Sequence, residues 1–68
     1  MTVPVGTLLI CIQSHPDGLF TQGQIYKVNA LGKRGGVRIR DDKRERKDFN
    51  YIPTSKNYIW AYFKLSSP

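Results

Sequence analysis

"GVRIRDDKRERKDFNYI", Gly36 to Ile52, alternates apolar and basic residues, breaks into a charged run and then turns apolar again. Val37 and Ile39 alternate with Arg38 and Arg40, the period of two that turns one face of a strand to a core and the other to solvent. The polar run "DKRERK" carries no apolar position at all, and "DFNYI" resumes with Phe49 and Tyr51 on a common face. The spacing predicts a strand, a solvated hairpin connection and a returning strand.

Upstream, "QIYKVNA" predicts the preceding strand, with Tyr26, Val28 and Ala30 on one face and Lys27 and Asn29 on the other. The connection "LGKRGG" has three glycines in six residues, a turn or bulge signal. Thr7 to Gln13 is rich in Leu and Ile on both faces, which predicts a central strand. It stops at "SHPDG", where Pro16 presets its own φ and Asp17-Gly18 supplies a residue able to take φ > 0. After Pro53, "TSKN" predicts a turn or short 3₁₀ segment. "YIWAYFKL" predicts the closing strand, with Trp60, Tyr62 and Lys64 on one side and Ala61, Phe63 and Leu65 on the other.

Five short strands in one chain of 68 residues are too few for a two-sheet sandwich of usual size. A small, strongly bent barrel closes its edges more economically. The expectation is an all-β, five-stranded SH3-like barrel, with an OB-like barrel as the alternative, forming a single domain over residues 1–68. Phe20, Tyr26, Phe49 and Phe63 are assigned to its packing. A domain of this size buries only about 60% of the surface its unfolded chain exposes, so any chemistry belongs on the outside.

Charge is the strongest functional signal. From Lys33 to Lys47 there are eight basic residues, Lys33, Arg34, Arg38, Arg40, Lys43, Arg44, Arg46 and Lys47, against three acids, Asp41, Asp42 and Glu45. Most of the net charge of +6 therefore lies in one segment, and such a localised field attracts polyanions. The plainer reading is a soluble turn whose charges block edge-to-edge pairing. Tyr51, Tyr58, Trp60 and Tyr62 are candidate stacking rings for bases, Tyr51, Trp60 and Tyr62 foremost, although rings in so small a domain are needed for packing.

Enzymatic signals are missing. Cys11 lies within an apolar run, Ser14 has no separate base, and His15 with Asp17 forms at most a local pair in a turn. Cys11, His15 and Asp17 have no metal-ligand spacing, and "GKRGG" is not a phosphate loop because neither Walker spacing nor a following helix accompanies it. The chain reads as a non-enzymatic module with no cofactor and no metal. A lone cysteine without staples suggests a reducing compartment, and "TLLICI" is too short to span a bilayer, so the expectation is a cytoplasmic protein with no membrane partner.

The order of an apolar first strand, then "FTQGQIYKV", then "GVRIRDD" ending in acidic turn residues, then "WAYFKL" resembles the small SH3-like barrel proteins encoded by tailed bacteriophages and their prophages. The resemblance covers Thr7 to Leu65. It implies a phage accessory protein acting in the host cytoplasm, a class that often binds nucleic acid or a host protein. The "KRERK" insertion departs from the plainer acidic turn of that pattern. Two partners follow as expectations: DNA or RNA held by the basic strand and turn, or an acidic host-protein surface held by the same residues. The chain is expected to act as a monomer or a homodimer.

Overall fold

A computed structural model describes residues 2–32 and 36–66. Five strands form, β1 Leu8–Cys11, β2 Ile25–Leu31, β3 Val37–Arg40, β4 Arg46–Phe49 and β5 Phe63–Leu65, with a one-turn helix α1, Ile59–Tyr62, directly before the last. They make one antiparallel sheet in the order β4-β3-β2-β1-β5. The fold is all-β with little helix, and strand pairing does not close the sheet, whose edges are β4 and β5.

Register sorts the side chains. Leu9 lies opposite Tyr26, Cys11 opposite Phe63, and Val37 opposite Phe49; opposite residues share a face, so these line the inside, while Leu65, also opposite Leu9, stays 43% exposed at the edge. Leu9, Val28, Ile39 and Ile59 are completely buried, and Cys11, Val37, Phe49 and Phe63 nearly so. Burying each of the larger aliphatic or aromatic side chains contributes about 1.5–3 kcal/mol. Phe20, Phe49 and Phe63 pack mutually edge to face at 5.3–5.6 Å, and Tyr26, half-buried, closes against Phe20 and Phe63. The four rings assigned to packing are thus in or against the core.

Turn chemistry follows the sequence in two places. His15 O accepts the Gly18 N–H at 2.8 Å, and Gly18 takes φ 68°, the left-handed conformation that glycine adopts without steric cost. At the start of β3 a Cβ on Gly36 would stand 2.5 Å from Phe49 O, so only glycine admits this approach of backbone to backbone.

Four expectations need correction. The predicted closing strand begins as helix: Ile59 and Phe63 are both buried, four residues apart, and one helical turn is what brings positions i and i+4 to the same side. The fourth strand runs Arg46–Phe49, earlier than "DFNYI" suggested, because the preceding turn is tight enough for pairing to restart immediately after Glu45. Beyond Phe49, Asn50 makes only an isolated bridge to Tyr58. In β2 the alternation breaks at a bulge between Val28 and Ala30, which places Ala30 opposite Arg38 instead of on the Val28 face. Finally, β1 is an interior strand as expected, paired with β2 and β5, but only one of its faces is covered: Leu8 remains 46% exposed and Ile12, just past its end, 40%.

Among the described residues, no helix is long and apolar enough to cross a membrane.

Candidate functional site

The β3–β4 hairpin sets Arg38 opposite Asp48, Ile39 opposite Lys47 and Arg40 opposite Arg46. Arg38, Arg40, Arg46 and Asp48 therefore share the outer face, while Lys47 lies on the core side of β4 beside Ile39. Arg38 Nε donates to Asp48 Oδ1 at 2.9 Å, so its charge is balanced locally. Arg40 and Arg46 face each other with no carboxylate in ion-pair range among the described residues. Like charges directly opposite destabilise a sheet, so this pair lowers the stability of the hairpin.

Between the strands, the Asp41 carbonyl accepts the Arg44 N–H at 2.9 Å and the Asp41 N–H donates to Glu45 O at 2.9 Å. This is a type I turn followed by a residue in the left-handed region, a common three-residue hairpin connection. That residue is Arg44, φ 64°, the one non-glycine with positive φ among the described residues. Arg40 Nη1 donates to its carbonyl at 2.8 Å. The tip thus presents Lys43 and Arg44, both exposed.

Two aspartates hold the turn. Asp41, only 4% exposed, accepts the Lys43 and Glu45 N–H groups on Oδ1 at 2.8 and 2.9 Å. Asp42 accepts the Tyr26 hydroxyl on Oδ1 at 2.6 Å and the Thr21 hydroxyl on Oδ2 at 2.7 Å, and its N–H donates to Leu19 O. These bonds, Tyr26's first and Thr21's second, hold the Asp42 carboxyl below its ordinary range. Burial, and then the bond to Asp42, pushes the Tyr26 hydroxyl up. The connection read as merely solvated is anchored to β2 and the 19–21 loop. Adjacent aspartates closing an alternating strand were the available signal, since Asp side chains bind backbone N–H groups in turns.

The remaining sequence candidates are placed as follows. Lys33 and Arg34 lie outside the described residues. Lys47 is half-buried, its Nζ 4.0 Å from Glu45 Oε2. Tyr51, Trp60 and Tyr62 are half-buried against the core. The Tyr51 hydroxyl accepts the Val3 N–H, and its ring meets Trp60 at 6.2 Å. Tyr62 packs 4.7 Å from His15 and donates to Lys56 O. None of the three stands in the arginine row of the hairpin's outer face.

His15 ties separate loops together. Its Nδ1 accepts the Asp17 N–H at 3.1 Å, so in the neutral ring Nε2 carries the proton and donates to Asn57 Oδ1 at 3.2 Å. Cys11 Sγ donates to Gln13 O, and burial pushes its thiol up, away from the thiolate a nucleophile requires. Among the described residues no group of three His, Cys, Asp or Glu side chains is arranged to hold a metal. Comparisons with protein-family models, with curated proteins and with solved structures find no match to this chain.

Proposed function

We propose that the chain is a non-enzymatic binding module of the SH3-like barrel type that docks on nucleic acid through the outer face and tip of the β3–β4 hairpin. The barrel reading is supported by β2, which pairs with β1 at one end and with β3 at the other. Its bulge adds twist where one ladder gives way to the next, the device that curls a sheet. The observation that carries the binding reading is the uncompensated Arg40–Arg46 pair beside Lys43 and Arg44. Phosphates arriving on this face would neutralise a repulsion already built into the hairpin. Phage origin and a role during infection rest on the sequence resemblance, and the host cytoplasm is the compartment that goes with them.

Fluorescence anisotropy of labelled DNA and RNA oligonucleotides tests the proposal. With about four phosphates contacted, raising salt from roughly 50 to 200 mM weakens binding about 10²-fold. A curve indifferent to salt, or no binding at low salt, overturns it. The other partner expected from sequence, an acidic host-protein surface, is separated by a pull-down from bacterial lysate after nuclease treatment: one stoichiometric protein surviving the nuclease points to that partner, and loss of every partner to nucleic acid.

A further inference from the structure

At the β4 edge of the sheet, a depression of about 240 Å³ is lined by the 15–20 loop, by residues from both faces of the strand and by Asn57. Its volume is below the roughly 300–1,000 Å³ typical of drug-sized ligands and suits a smaller planar group. The lining is polar and mixed in sign. Lys47 and Arg46 supply cations and Asn57 an amide; of the two carboxylates, Asp48 is paired with Arg38, which leaves Asp17, its side chain 60% exposed, as the acceptor. His15, its side chain 9% exposed, is fixed in orientation by Asp17 N–H on one nitrogen and by Asn57 Oδ1 on the other. That bond uses the Asn57 side-chain carbonyl, and its NH₂ group is a donor on a residue that lines the depression.

The two oxygens of one carboxylate can accept from two adjacent N–H donors while a cation beside it donates to a neighbouring acceptor. Guanine has two adjacent donors, N1–H and N2–H, next to the acceptors O6 and N7. Adenine, cytosine and thymine do not offer this order. Arg46 belongs both to this lining and to the row opposite Arg40, so a strand tracked along the outer face passes the mouth of the depression. We infer that the depression takes one unstacked guanine of a single strand, with Asp17 accepting from N1–H and N2–H and Lys47 donating to O6. The inference rests on the nucleic-acid reading above and narrows it to single strands, because a base within a duplex offers neither its Watson–Crick edge nor its plane.

The test compares a twelve-residue oligothymidine with the same strand carrying one central guanine, and both with their duplexes, by anisotropy at fixed salt. The guanine strand is expected to bind about tenfold more tightly, a gain lost in Asp17→Ala and in Lys47→Met and absent from the duplex. Arg40→Gln should weaken both single strands equally. Equal affinity for the two strands overturns the guanine site while leaving the interface intact; no binding by either strand or duplex overturns both. A second readout on the unaltered protein guards against a variant that fails to fold. Guanosine monophosphate, and not adenosine monophosphate, should shift the Asn57 amide and His15 ring resonances, and identical responses to the two overturn the assignment.

Discussion

Asp42 shows how one residue joins a turn to a sheet and gives the fold a dependence on pH. Its carboxyl is held low by the Tyr26 and Thr21 hydroxyls, so its contribution is present above the ordinary aspartate value near 4 and disappears as pH falls through the lower folded value. Tyr26 works in the opposite direction. Its hydroxyl is pushed up, so its contribution is complete below about pH 10 and is lost as pH rises through the folded value. Urea midpoints recorded from acid to alkali should therefore decline at both ends. In Tyr26→Phe the alkaline decline should diminish and the acid one weaken only in part, since the Thr21 hydroxyl still bonds Asp42; in Asp42→Asn the acid decline should diminish. Parallel curves for wild type and both variants would show that these bonds do not form in solution.

Arg44, at the hairpin tip, holds a φ of 64°. A left-handed conformation costs a residue with a Cβ about 1 kcal/mol that glycine does not lose. Strain of this kind is kept where the surroundings or the function require it. Arg44→Gly should therefore raise stability by about 0.5–1 kcal/mol in urea titrations while weakening nucleic-acid binding. Arg44→Ala, which keeps the Cβ, should weaken binding with no gain in stability. If glycine leaves affinity unchanged, the arginine at the tip serves the turn alone.

At the scale of elements, the β3 alternation was fully legible: Val37 and Ile39 are buried and Arg38 and Arg40 face outward, because a half-buried strand writes its period directly into the sequence. The helix before β5 was not. Four residues are too few for a 3.6-residue period to stand out against an alternating pattern, and "YIWAYF" satisfies both readings until Ile59 and Phe63 are known to share the core. The bulge in β2 was hidden for a related reason, since one extra residue changes the face without changing composition. The candidate site was half legible. Sequence located its basic segment, but not that Asp48 faces Arg38, that Lys47 turns to the core side or that Asp41 and Asp42 anchor the turn, because each depends on a register fixed only by the hairpin geometry.

For the whole molecule, charge and apolar surface divide between two regions of one sheet. The outer face at β1 and β2 carries Leu8 and Ile25, 46% and 54% exposed, with Lys27 opposite Leu8 and Lys64 opposite Ile10, whereas the outer face at β3 and β4 carries the arginines. The β3–β4 hairpin sets six cations against four carboxylates, and Asp48 is the carboxylate that pairs with a cation of the arginine row. Asp48 is exposed and its pair with Arg38 is solvated, so Asp48→Asn should leave stability nearly unchanged. Binding should respond otherwise. Releasing Arg38 adds a cation to the row formed with Arg40 and Arg46, so affinity should rise at low salt and the slope of log affinity against log salt should steepen by about one unit. Arg38→Gln, by contrast, should cost less than Arg40→Gln or Arg46→Gln, since its charge is already balanced. A uniform loss across the three arginine variants, or an unchanged slope in Asp48→Asn, would mean that the outer face of the hairpin is not where the polyanion lies.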